Sequence, residues 1–234
     1  MAAKLQGYLK ETRKPIYAAV LLLPFFLIYH AGTFFLKTTY INGADALIIR
    51  MLSALSVHSI FASALVLLGC FVIWQLRTRA SWKVDSGKII LMFLESLAFA
   101  LLLFFVFGWL SVHLSRASGA GSRGPLEKLV LYCGAGIYEE LVFRGFLLGA
   151  LLLLFSRLFG FGKTAAAIWA TIAGALLFAL FHYVGRGADT FTLVSFGQRA
   201  MGGLYFSILF VTRGFGVTAA SHALYDIVVG LVAS

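Results

Sequence analysis

Four side chains able to take up or release a proton lie inside otherwise apolar stretches of the C-terminal half of this chain: Glu139, His182, His222 and Asp226. A carboxylate and an imidazole that converge can together draw a proton from water, which is the chemistry of hydrolysis by a general base. Glu139 stands beside Glu140, and Arg144 follows Glu140 at a spacing of four. On a helix Glu140 and Arg144 share a face, acid before base, which suits an ion pair. Glu139 is turned about 100° away, onto another stripe. One glutamate thus has a local partner, and the one left over is the candidate base. His182 follows Phe178 at a spacing of four in LFALFHYVG, and His222 precedes Asp226 at the same spacing in SHALYD. His222 and Asp226 therefore share a face. His30, His58 and His113 lack an acidic neighbour at helical spacing and are read as hydrogen-bonded packing residues.

The elements that must position these groups are membrane helices. Of the 234 residues 61% are hydrophobic and 12% charged, with a mean hydropathy of +0.96. Soluble chains are about 45–50% apolar and about 25% charged, so a soluble domain is excluded and lipid is the expected solvent. Seven spans are expected: Ile16–Leu36, Met51–Leu76, Ile89–Leu114, Leu126–Phe155, Thr164–Val184, Phe191–Val211 and Gly214–Val232. Each is close to or above the roughly 20 residues that a helix needs to cross the hydrocarbon. The fold class is therefore all-α, a polytopic transmembrane helical bundle with a catalytic cavity within it. Residues 1–125 supply N-terminal helices without motifs, and 126–234 form the motif-bearing core of one membrane domain.

The net charge of +10 is placed as flanking anchors rather than as a nucleic-acid patch. Lys4, Lys10, Arg13 and Lys14 precede the first span, as in an uncleaved anchor with a cytoplasmic N-terminus. On that topology Arg77, Arg79, Lys83, Lys88, Arg157, Lys163 and Arg213 fall on the same side. Lys37, Arg50, Arg116, Arg123, Lys128 and Arg186 fall on the other, and the imbalance agrees with the positive-inside rule. Cys70 and Cys133 are read as small hydrophobes rather than a disulfide or metal pair. The Ser- and Gly-rich stretch Ser115–Pro125 is expected to be a mobile polar loop.

Energetics single out the acids in the spans. Most acidic residues lie in loops or, for Glu95, near a helix start, but Glu139, Glu140 and Asp226 do not. Each charge at a helix centre costs roughly 2.5–3.5 kcal/mol, while a Leu or Phe returns about 0.3–0.6 kcal/mol. Glu139, Glu140 and Arg144 in one span consume most of what its apolar residues supply. They are tolerable only if they face the bundle interior, and intramembrane ionisable groups point to function. Three spans thus offer Glu139, His182 and the His222–Asp226 pair to one convergent site.

This ordered set resembles the CPBP family, the CAAX prenyl endopeptidase and bacteriocin-processing (Abi) group of intramembrane proteases. The family pattern of EExxxR, FxxxH and HxxxN or HxxxD stands here as Glu139–Arg144, Phe178–His182 and His222–Asp226, within a matching core from about Leu126 to Val232. The resemblance implies hydrolysis of a peptide bond inside a membrane cavity. It makes Glu139 and His182 the groups that activate water, and lines the oxyanion site with His222 and Asp226. Glu140 and Arg144, with Phe178, become structural support. An ionised Asp226 would repel an oxyanion; either burial keeps it protonated, or it orients His222 through the other ring nitrogen, the reading favoured here. No cofactor is expected; the alternative is a catalytic zinc held by Glu139, His182 and His222 with one open position. No HExxH is present.

The expected partners are the lipid bilayer and a membrane-anchored peptide or protein substrate, with no nucleic acid. The resemblance allows a prenylated C-terminal peptide, a bacteriocin leader or a sorting-signal tail, although no residue pattern reads a prenyl chain. The compact chain suggests a prokaryotic plasma membrane. Two rivals keep the scaffold: a catalytically silent adaptor or immunity factor, and a small transporter whose acids relay protons. The chain has only three prolines and no visible half-to-half symmetry, which disfavours transport.

Overall fold

A computed structural model describes residues 2–36, 41–57, 59, 61–117, 124–185 and 188–233. His58, Lys37, Arg123, Arg186, positions 118–123 of the Ser/Gly-rich stretch and the Arg116 side chain lie outside the described residues. The described chain is all helical: α1 Ala2–Glu11, α2 Pro15–Phe35, α3 Gly43–Ala54, α4 Ala62–Thr78, α5 Ser86–Ala117, α6 Pro125–Leu158, α7 Lys163–Phe181, α8 Leu193–Arg213 and α9 Phe215–Ala233. Five of these, α2, α5, α6, α7 and α9, are long and apolar enough to cross a membrane. The protein is an integral membrane protein built as an all-α polytopic bundle.

Two expected spans differ. The second is not one helix: α3 ends at Ala54, and α4 begins only at Ala62 and has 17 residues. The stop is a Schellman motif, in which Ser56 takes a φ of 65° and Val57 N donates to Leu52 O at 2.9 Å while Ser56 N donates to Ser53 O at 3.0 Å. Serines favour such ends because their side chains compete for backbone hydrogen bonds. The sixth, α8, has the length, at 21 residues, but carries Gln198 and Arg199 on the wall of a cavity and falls below the apolarity of the other five.

The bundle is organised around α9. Of its apolar stretch 67% is buried, against 22% for α5, whose Phe105 and Trp109 point outward to where lipid lies. Small side chains let neighbours close on it. A Cβ at Gly136 of α6 would stand 2.5 Å from the Ala219 carbonyl oxygen and 2.6 Å from Ala223 Cβ of α9, so only glycine permits this approach. On the other side of α6, a Cβ at Gly134 would meet the Tyr29 ring of α2 at 2.3 Å. One apolar core joins both halves of the chain, with Leu21 and Phe25 of α2 packing with Val130 and Ile137 of α6 and Val217 and Ala220 of α9.

Polar contacts tie the periphery. Tyr8 of α1 donates to Glu95 of α5 at 2.9 Å, and Arg213 at the end of α8 donates to the same carboxylate at 2.6 Å. Burial and the Glu95 carboxylate push the Tyr8 phenol up to about 12. Cys70 and Cys133 are free thiols. His30 is 2.7 Å from the Tyr138 hydroxyl, and His113 is 2.7 Å from the Trp109 carbonyl oxygen, both hydrogen-bonded packing positions.

Candidate active site

α6 starts with Pro125 in its first turn, where the missing N–H costs nothing, and Glu127 accepts from Gly124 N at 3.3 Å. Further along it widens into π-helical turns over Ala135–Glu139 and Leu141–Leu147. Such turns recur at functional sites because the extra residue re-aims side chains. Here both acids of the pair reach α9. Glu140 Oε1 is 2.7 Å from His222 Nδ1, and Glu139 Oε2 is 3.9 Å from His222 Nε2.

Glu140 is fully buried, and its Oε1 also accepts from Arg144 Nη1 at 2.9 Å. The second arm of Arg144 donates to the Gly203 carbonyl of α8 at 2.9 Å, and its guanidinium lies 4.6 Å from the centre of the Phe178 ring. One guanidinium thus links α6, α7 and α8. Phe178 sits between Arg144 and the two imidazoles, with ring centres 5.0 Å from His182 and 6.2 Å from His222. Phe206 of α8 stacks flat on His222 at 4.5 Å.

His182 ends α7. Its Nδ1 is 2.9 Å from the Phe178 carbonyl oxygen. A carbonyl only accepts, so Nδ1 carries the proton and Nε2 presents a lone pair when the ring is neutral. That Nε2 is 3.9 Å from Glu139 Oε2. The glutamate carboxylate therefore faces two imidazole nitrogens at equal distance. The four side chains line a cavity of about 260 Å³ between α5, α6, α7, α8 and α9.

Two positions differ from the sequence reading. Asp226 does not hold the other nitrogen of His222. Its Oδ2 is 3.7 Å from Nε2, the nitrogen that faces Glu139, and Nδ1 belongs to Glu140. The adjacent helix supplies a carboxylate to Nδ1, whereas Asp226, on the same helix one turn away, lies on the Nε2 side of the ring. Nor is Glu139 without a partner, because Asn42 Nδ2 at the start of α3 donates to its Oε1 at 2.9 Å. No spacing rule reaches Asn42, which is 97 residues away in a motif-free segment. Arg199, Gln198, Ser111 and Tyr225 on the cavity wall carry no motif either. Arg199 donates to Asp189 at 2.5 Å and to Tyr183 at 2.8 Å, and Gln198 and Tyr225 both hydrogen-bond to Ser111. The signal available for these was a polar side chain at helical spacing within an apolar stretch.

A tetrahedral zinc with bonds of about 2.0–2.1 Å sets its ligand atoms about 3.4 Å apart, while Glu139 Oε2 stands 3.9 Å from each imidazole nitrogen. Among the described residues no group of three His, Cys, Asp or Glu is arranged to hold a metal ion.

Residues 123–228 match the family model described as type II CAAX prenyl endopeptidase, Rce1-like, and the match takes in every residue of the site from Glu139 to Asp226. Comparison with curated proteins and with solved structures gives no match. This segment is therefore similar to the CPBP/CAAX protease family, and the match supports that family for residues 123–228.

Proposed function

We propose that the chain is a metal-independent intramembrane endopeptidase that hydrolyses a peptide bond of a membrane-anchored substrate. The observation that carries the reading is the Glu139 carboxylate oxygen at 3.9 Å from both His182 Nε2 and His222 Nε2 on one cavity wall. Separations above about 3.5 Å suit a bridging water rather than direct bonds. A water between Glu139 and His182 gives up a proton to this pair as its oxygen attacks the scissile carbonyl carbon. His222, with Nδ1–H directed at Glu140, offers Nε2–H to the oxyanion when it carries both protons, and the Glu140 carboxylate behind it balances that charge. When the C–N bond breaks, the proton taken from water passes to the leaving amine. Asp226 lies beside the same nitrogen and competes with the oxyanion for it when ionised, so its role is to hold His222 between turnovers.

In this reading 126–234 is the protease core, the helices of 1–125 support it, and the charge bias favours a cytoplasmic N-terminus. The substrate class suggested by the family is a C-terminal prenylated peptide, with other membrane-anchored peptides as competitors.

The test uses the full chain in detergent after metal stripping. Quenched fluorescent peptides ending in S-farnesyl-cysteine plus three residues run beside a library of unprenylated membrane peptides. Cleavage that survives chelation and is lost in Glu139→Ala and His182→Ala supports the reading. Recovery only with zinc makes it a metalloprotease. A silent wild type whose Glu139→Ala variant still complements in cells makes it an adaptor.

A further inference from the structure

α3 comes from the half of the chain that carries no motif, yet its first residues touch the proposed base. Asn42 is the N-cap of α3, and its Oδ1 accepts from Ala44 N at 2.8 Å. A backbone N–H can only donate, so the atom facing it is the amide oxygen. The amide nitrogen must then point the opposite way, and there it donates to Glu139 Oε1 at 2.9 Å. The cap bond therefore fixes the orientation of the donor. The residue is held from behind as well: Asn42 N donates to the Tyr29 hydroxyl at 3.2 Å, and that hydroxyl donates to Asp45 of α3 at 2.5 Å.

From this arrangement we infer that Asn42 is a positioning residue for Glu139. It occupies one carboxylate oxygen and leaves Oε2, the oxygen nearest both imidazoles, to face water. A glutamate has three side-chain torsions, and freezing them before substrate arrives removes that ordering cost from the reaction step. The competing explanation is that Asn42 only caps α3, with its contact to Glu139 incidental.

Serine and aspartate separate the two, since both cap helices about as well as asparagine. Asn42→Ser keeps the cap, but its hydroxyl is too short to reach Glu139. Asn42→Asp keeps cap and length but, when ionised, has no hydrogen to donate and sets a second carboxylate against the first.

The inference rests on the protease reading, so the probe is the fluorescent peptide, prenylated or not, that the wild type cleaves fastest, with Glu139→Ala and His182→Ala in parallel. Loss of a hydrogen bond to a charged group predicts a kcat about 10- to 100-fold lower in both Asn42 variants, Asp the lower of the two. KM and the thermal unfolding temperature in detergent are expected to stay at wild-type values. Wild-type kcat in both variants, or a change confined to KM, overturns the positioning role while dead Glu139→Ala and His182→Ala leave the protease reading standing. A wild type that cleaves nothing, or a fully active Glu139→Ala, overturns both.

Discussion

The two halves of this chain build the same cavity by different means. The motif half holds its charged groups through one another: Glu140 Oε1 joins Arg144 at 2.9 Å and His222 at 2.7 Å, and Arg144 goes on to Gly203. The acid and base of this cluster are nearly sealed, with Glu140 and Arg144 all but fully buried. Among the described residues the motif-free half contributes no titratable group to the cavity, yet Asn42 reaches Glu139, whose carboxylate lines the open space. The difference teaches that the second glutamate and the arginine are scaffold for an imidazole, whereas the first glutamate is left to the cavity and steadied from outside the motif. Buried charges are costly unless fully paired, so the scaffold acid takes two partners, and a group that must exchange protons cannot be so enclosed.

The sharpest way to break this contrast is to exchange the fates of the two acids. Glu139→Gln keeps shape and the contact region but removes the base. Peptide cleavage is expected to fall by about 10²- to 10⁴-fold with the unfolding temperature unchanged, as measured by fluorescence and thermal scans on one preparation. Arg144→Leu does the opposite. It takes the guanidinium from buried Glu140, which keeps only His222, and from the Gly203 carbonyl, which keeps Ser207, and a loss of about 3–5 kcal/mol of stability is expected in thermal or denaturant unfolding. Equal unfolding temperatures for Arg144→Leu and wild type would remove the scaffold role.

A milder probe acts on the helix contact that brings the clusters together. Gly136→Val forces a Cβ against the Ala219 carbonyl, and α6 must move away from α9. Overpacking of this kind costs about 1–3 kcal/mol, and cleavage should fall with it, because Glu140 and His222 meet across that contact. The smallest effect belongs to the surface of the N-terminal half. Glu11 of α1 is 2.5 Å from Lys88 of α5, a half-exposed pair, and this hydrogen bond holds its carboxyl below the ordinary value of 4.5. A lowered value stabilises the fold above the unfolded pKa and is lost as pH falls through the folded one. Glu11→Gln should therefore lower the unfolding temperature slightly at neutral pH, with the gap closing in acid below about 4.5.

Much of the motif half was legible. Glutamate, histidine and aspartate in apolar stretches announce themselves because a membrane tolerates them only where they converge, and the acid-before-base spacing marked Glu140 and Arg144. The spacing rule misled at Asp226, because it weighed only residues on the same helix, whereas α6 supplies the carboxylate at Nδ1. The π-helical turns in α6 leave no proline in Ala135–Glu139, and they allow both glutamates to meet His222. Hydropathy runs on across Ser53, Ser56 and Ser59, where the helix breaks, and polarity is the usable signal there.

Local composition and the cost of burying charge single out the candidate residues and put them in helices apolar enough to span lipid. Only the tertiary structure decided which nitrogen each carboxylate serves and that Asn42 steadies Glu139. Those are choices between atoms a few ångströms apart on helices 82 and 97 residues distant in the chain, set by how closely glycines let helices approach.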